Sequence, residues 1–582
     1  MSSKRRNFRV TFAISCVLLA GIAALLVSLT SNLRGARVDL TSDQRFSMSD
    51  AAAKVLRNLK VPVQVKLYIT PEAKMPTELK NLERDITEQL ANFERVSNGM
   101  LVYEVLSPQD DDEMQERLAR KGIRPFQVQS VERDEFGVKL IWSALTIAYK
   151  DYPEEVLPQI LPATLANFEA LVIGPVYRLT RERTPKVAVY APLQEVDPQL
   201  AAMYLQQGMQ VPEPTDTYSN VPELLRQQHY DVERIDISPQ SPIPDDADVL
   251  LVLNPEELSA RQAWEINRAL SNGLPTLIAA QVHGYNYSPG YRGGWTVTGS
   301  ANTTGLETML ASLGLTVATD HFMDRSTQTL DLPREVNLGG IRMQTREPVQ
   351  FPVQILVTGE NMNSESVLTN RIGALLYLWG TPIDNDATTI AENRLDLTVL
   401  MTSTSESWRV PFEPGSVDPE IFDPQRHPKE GRQPLGVLVT GTFPDTYAGQ
   451  EIPTWPETAA GDTLAAAEEP RPLEPQPSRL VVVGCAKMFD DNIIGGAQNS
   501  LLLLNAVDYL AGAEELLSIR TKNLTQRYIE QVSAGEKVFY RFFAVFLVPL
   551  LIAVFGFARS ALRRKETARY QSQLRRQSAS NA

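Results

Sequence analysis

Two apolar stretches, one near each end of the chain and each bordered on one side by cations, constrain everything that lies between them. As a helix rising about 1.5 Å per residue, Val538 to Ala558 is roughly 31 Å long, which matches a hydrocarbon core of about 30 Å. Its single charge, Arg541, lies near the start, where a long side chain can reach the headgroups, and Pro549 is tolerated in membrane helices. Arg559, Arg563, Arg564 and Lys565 follow, a cluster that a buried core helix would not need. The other end repeats the arrangement in mirror order: Lys4, Arg5, Arg6 and Arg9 precede Val10 to Leu29, which is apolar apart from Thr11, Ser15 and Ser28. Cations on the outer side of both stretches place both termini in the cytoplasm and the bulk of the chain outside it. A cleaved signal peptide also fits the first stretch. Its apolar region is longer than a signal needs and no small-x-small site follows, so an uncleaved anchor is preferred. Cys16 lies inside the apolar run, so there is no lipobox-like cysteine after it.

The sequence therefore predicts a cytoplasmic basic tail at 1–9, a first transmembrane helix at 10–30, a second at 538–558, and a cytoplasmic basic tail at 559–582. The setting this implies is a bacterial inner membrane, with the chain in contact with the lipid bilayer and its bulk in the periplasm. The two tails carry +4 and +6, which leaves −24 of the chain's net −14 on residues 10–558. So acidic a region repels phosphate backbones and argues against nucleic acid as a partner. Two cysteines, Cys16 and Cys485, cannot make a disulfide framework, so stability has to come from hydrophobic cores.

Between the spans the order of elements reads as α/β. Ser49 is placed to cap a short helix, VPVQVKLYI reads as a strand, and from Thr77 a helix puts Leu79, Leu82, Ile86, Leu90 and Phe93 on one face. MLVYEVL, a helix stopped at Gly122 and a hairpin within 126–149 follow. This βαβαββ order predicts a small α/β domain of thioredoxin-like kind at 31–180, without a CxxC and so without redox chemistry. After the proline-broken RERTPK, a second α/β domain is predicted at 186–515. KVAVYAP, DVERIDI, ADVLLVLNP and LPTLIAAQ read as strands separated by helices, one of them capped by Ser259, and such alternation predicts a doubly wound parallel sheet. Residues 301–318 add a helix and the strand LTVA. FPVQILVT, RLDLTVLMTS and PLGVLVTGTF read as strands, and NRIGALLYLWG as either a helix or a buried strand. The Pro-rich segment 444–478 reads as a flexible loop, after which RLVVVG and the helical NSLLLLNAVDYLAG return to complete the sheet. Residues 516–537 then form a membrane-proximal connector.

Motifs for chemistry are scarce. There is no GxxxxGK[ST], no HExxH and no GxSxG, and no cofactor is implied. The four histidines, His229, His283, His321 and His427, are far apart in the sequence, which argues against a histidine-rich metal site. Cys485 follows a strand, yet VVVGCAKMF places no histidine beside it, so it reads as a buried structural thiol. One segment differs from the rest: QVHGYNYSPGYRGGWTVTGS, read as a loop after an apolar strand, gathers His283, Tyr285, Tyr287, Tyr291, Arg292 and Trp295 among glycines. Aromatic faces at the carboxyl end of a parallel strand suit a periplasmic or cell-surface ligand, a glycan or a peptide. The same aromatics also suit a long loop packed on the domain beneath, and no acid or base converges on them. Arg520, Lys522, Arg527 and Arg541 are candidates for contact with headgroups or a partner's acidic rim, or simply for a solvated face.

VDLTSDQRFSMSDAAAKVLRNLKVPVQVKLYIT, ADVLLVLNPEELS, PLGVLVTGTFPDTYAG and NSLLLLNAVDYLAGAEELLSIRTKNLTQR before a span together resemble the gliding-motility-associated (GldG-like) auxiliary components of ABC transporters. The resemblance runs over nearly the whole chain, and no single motif in it is catalytic. It implies a non-catalytic, membrane-anchored, substrate-binding-like subunit that works with a separate permease and ATPase. The absent phosphate-binding loop agrees with that division of labour. One position departs from the family pattern: Cys485 stands where an acid is expected after the RLVVVG strand, so no role is carried over for that acid. The second domain also resembles the flavodoxin or glutamine-amidotransferase group, without a nucleophile elbow. Two other readings remain open, a membrane-anchored adaptor without a small ligand and a periplasmic hydrolase whose wall is the aromatic segment.

Overall fold

Seven strands form the largest sheet of the computed structural model, in the order Asp396–Thr402, Pro434–Thr442, Pro477–Val483, Thr276–Ala279, Val249–Leu253, Lys186–Tyr190, Asp231–Ile235. The structure describes residues 48–513 apart from 133–134, 182, 195, 197, 290–293, 339–340 and 457–472, together with 556, 559 and 560. Both stretches read as membrane spans, 10–30 and 538–558, lie outside the described residues except for Gly556. Among the described residues no helix is long and apolar enough to cross a membrane.

The last five strands of that order pair in parallel, and the two at the other edge are antiparallel. Numbered along the chain, the parallel set runs 2-1-3-4-5, the order of one common doubly wound sheet. Both faces are covered, which is why its strands are near-continuous apolar runs. Val187, Val189, Leu251, Leu277, Val481 and Val483 meet the helices Asn220–Gln227 and Asn499–Leu510 on one face. Ala188, Leu250, Val252, Ile278, Leu480 and Val482 meet Ala260–Ser271 and Glu307–Ser312 on the other. Pro477–Val483 returns to sit between Thr276–Ala279 and Pro434–Thr442 as the sequence suggests. Ser259 caps its helix in a full capping box with Gln262. Helix Asn220–Gln227 is capped from a distance: the Asp491 carboxylate accepts from the Ser219 and Asn220 backbone amides at 3.1 and 2.8 Å.

A second, four-stranded sheet has the order Leu101–Leu106, Val63–Ile69, Ser143–Tyr149, Glu155–Leu157. The first two strands are parallel, and Ser143–Tyr149 runs antiparallel to Val63–Ile69. Leu82, Ile86, Leu90 and Phe93 bury one stripe of helix Leu82–Val96 against it, and Phe168, Val172, Ile173 and Val176 of Phe168–Thr180 close the core.

Two sequence readings are corrected by the structure. The helix expected from Thr77 starts at Leu82, because Thr77–Leu79 forms a separate 3-10 turn after Pro76. The hairpin in 126–149 is Phe126–Glu132 with Glu135–Ile141 alone, and the apolar strand after it joins the four-stranded sheet instead. LTVA is a strand as read, Leu315–Val317, and pairs with Ile383–Asn385. The Pro-rich segment 444–478, expected to be a flexible loop, lies outside the described residues at 457–472; before that gap Pro444 accepts from Asn267 and Ser271, and the Arg261 guanidinium stands 4.9 Å over the Trp455 ring. The stretch that fitted either helix or strand is the strand Ala374–Leu378.

Candidate functional site

The segment read as a loop is a β-hairpin. His283–Pro289 pairs antiparallel with Trp295–Ala301, with Tyr285 opposite Gly299 and Tyr287 opposite Val297, and Gly415–Ser416 adds a short third strand. Strict alternation explains it: His283, Tyr285 and Tyr287 share one face, while Gly284, Asn286 and Ser288 take the other. That period-2 signal is present in HGYNYS, masked in the sequence reading by the density of glycines.

The inward face builds an aromatic nest from segments far apart in the chain. The His283 ring stacks on Phe412 at 3.9 Å, and Tyr287 stacks on Phe351 at 5.4 Å. Tyr285 places its hydroxyl 2.7 Å from His321 Nδ1 and its ring edge-on to Trp379 at 5.9 Å. Trp379 Nε1 donates to the Tyr287 hydroxyl at 2.7 Å. Gln281, which sequence reasoning did not single out, ties the nest to the sheet. Its amide nitrogen donates to the carbonyls of His283 and Trp379 at 2.8 and 2.9 Å. Its amide oxygen accepts from the backbone of Ala486 and Lys487 at 3.0 and 3.1 Å. One side chain thereby joins the start of the hairpin, the turn after Ala374–Leu378 and the loop after Pro477–Val483.

The electrostatics favour neutral groups. His321 is held down at about 4, chiefly by burial and next by the neighbouring His283. Burial also lowers His283 and raises the phenol of Tyr287 to about 12. His283 Nε2 donates to the Asp320 carbonyl at 3.2 Å, which leaves the buried Nδ1 as an acceptor without a partner. Although far apart in the sequence, His283 and His321 meet in the fold, their rings 6.1 Å from each other. Among the described residues no group of three or more His, Cys, Asp or Glu side chains could hold a metal ion, and no carboxylate hydrogen-bonds to either imidazole. The nest can present aromatic faces and hydrogen-bonding edges, and among the described residues no acid–base relay converges on it.

The structure thus brings together His283, Tyr285 and Tyr287 of the sequence candidates. Trp295 sits near the turn opposite Pro289, with a buried indole nitrogen that has no partner. Tyr291 and Arg292 lie outside the described residues, as do Arg520, Lys522, Arg527 and Arg541. Cys485 is buried, its thiol raised to about 12 by burial and bonded to the Leu378 carbonyl at 3.2 Å. A Cβ on the preceding Gly484 would stand 2.0 Å from the Thr381 carbonyl oxygen, so this strand end is sealed by protein. A cleft of about 500 Å³ opens at the opposite, amino-terminal end of the same strand, lined by Asp248, Ser478, Arg479 and Gly512 among others.

With this geometry in view, the comparisons decide the family. A family model described as an ABC-type uncharacterized transport system, for its auxiliary component, matches residues 184–513. The chain belongs to this family. The match spans the seven-stranded sheet and the hairpin nest together, and a domain of unknown function matches residues 42–148. No curated protein matches the chain. Among solved structures, the N-terminal domain of mmIFT52 is 12% identical, covering 56% of this chain and 97% of its own, with a TM-score of 0.29. A ThuA-like protein from Bacteroides uniformis is also 12% identical, covering 57% and 93%, with a TM-score of 0.27. Neither likeness carries an argument about fold or function.

Proposed function

We propose that this chain is a non-catalytic auxiliary subunit of an ABC transporter, anchored by helices at 10–30 and 538–558, with its α/β domains outside the cytoplasm. In this reading a separate ATPase drives a separate permease, and the chain couples their motion to a ligand- or partner-binding region. The observation that carries it is the family match over 184–513. Support comes from the sequence, which has no GxxxxGK[ST] loop to bind nucleotide phosphates. The strand order 2-1-3-4-5 supports the flavodoxin- or amidotransferase-like reading of the large sheet. The parallel pair flanked by an antiparallel strand supports the thioredoxin-like reading of the small one.

The hairpin nest is the proposed ligand region, with a glycan or peptide stacking on its aromatic rims. A second reading, an adaptor that binds only another protein, is favoured by one observation: His283 and Tyr285 are buried in mutual packing. The test is purification of the tagged full chain from its native membranes in mild detergent, followed by mass spectrometry. A permease and an ATPase recovered in fixed ratio support the subunit; their reproducible absence, with soluble partners instead, promotes the adaptor.

A further inference from the structure

The chain leaves the carboxyl end of strand Lys186–Tyr190 on an excursion that is pinched at its base. Gln194 and Thr215 exchange backbone hydrogen bonds of 2.8 and 2.9 Å. Beyond the pinch stands the helix Pro198–Gln206. Leu200, Met203 and Leu205 are 41, 44 and 67% exposed, and Met209 just past the helix is 45% exposed. At about 100° per residue, the apolar positions Leu200, Ala201, Ala202, Met203, Tyr204 and Leu205 span an arc of roughly 260°. Only Ala201 and Tyr204, in the middle of that arc, are half-buried. A helix apolar over so wide an arc needs cover on more than one side, and its own domain provides it on one.

The charges around it select the cover. Between Lys186 and Glu223 the sequence holds Glu195, Asp197, Glu213 and Asp216 and no cation; of the two described, Asp216 is paired with Arg234 and Glu213 is exposed. Interfacial membrane helices carry Lys and Arg on their polar face, and this segment has neither. A symmetric contact with a second copy would bring the same acids together. Closure onto the neighbouring strand end would bring them toward the exposed Glu256 and Glu257.

We infer that helix Pro198–Gln206 is a docking element for a different protein, which receives Leu200, Met203 and Leu205 in an apolar groove rimmed by cations. This surface is separate from the aromatic nest, and the inference does not depend on the transporter reading.

The test places a photo-crosslinking amino acid at Met203 or Leu205 of the full chain in native membranes, with Arg120 as a control position. The expected result is one polypeptide adduct from both helix positions and none from the control. Peptide mapping should locate it in an apolar segment flanked by Lys or Arg. Leu200→Ser should lower the Leu205 adduct at least fivefold, and Glu213→Lys or a rise in salt should lower it severalfold, with the melting temperature of Glu213→Lys unchanged. Adducts to lipid, to the chain itself or to a second copy would each overturn the inference. So would the absence of any adduct, a mapped segment without cations, or a yield indifferent to both Glu213→Lys and salt.

Discussion

The seven-stranded sheet and the hairpin nest are built from different materials, and the contrast bears on what each is for. The sheet is aliphatic, its parallel strands consecutive along the order, and its two faces are closed by four helices whose apolar stripes were already written in the sequence. The nest is aromatic and polar. It is assembled from His283–Tyr287, His321, Phe351, Trp379 and Phe412, and it is held by a few directional bonds. Aliphatic packing is tolerant of exchange among similar volumes, whereas stacked rings and paired hydroxyls fix particular side chains. The sheet therefore serves as a frame, and the nest is the part in which specificity can reside.

That contrast can be broken or sharpened by perturbing each part. The largest effect belongs to the sheet: Leu251→Ala removes a fully buried side chain from the central strands. It should cost about 2–5 kcal/mol, read as a lowered urea midpoint. Next comes acid. His321 sits at about 4 in the fold against an ordinary 6.5, so the unfolded chain takes up its proton first. Stability is therefore full above about pH 6.5 and declines as the pH falls toward 4, by on the order of 3 kcal/mol. Urea titrations at several pH values should show this slope, and His321→Gln should flatten it. Tyr285→Phe deletes the hydroxyl facing His321 Nδ1 and leaves a buried imidazole nitrogen unpaired. About 1–2 kcal/mol should be lost, with a smaller fall in midpoint than Leu251→Ala causes. Smallest is Asp491→Ala, which uncaps helix Asn220–Gln227 and should cost about 1 kcal/mol. Equal losses from Leu251→Ala and Asp491→Ala would show that the frame is not the rigid part.

Legibility in the sequence followed the same division. The strands of the large sheet, the Ser49 and Ser259 caps and the return of RLVVVG were readable because burial on both faces writes unbroken apolar runs and caps are local. The nest was legible only as a cluster of aromatics, since its partners Trp379, Phe351 and Phe412 are about 60 to 130 positions away and obey no period. Gln281 carries no sequence signal at all, because a saturated amide is defined by what folds around it. The hairpin was missed for a different reason: glycines at 284 and 299 read as loop punctuation, whereas in the fold they make room for Ser300 and for Phe412.

The most direct measurement of the central claim is ATP hydrolysis by the purified chain alone and by the complex recovered with it, before and after a protease site engineered at 516–537 is cut. The account predicts no turnover by the chain alone, and turnover by the complex that changes when the outer domains are severed from the second membrane helix. Hydrolysis by the isolated chain, or a complex whose rate is indifferent to that cut, would contradict it.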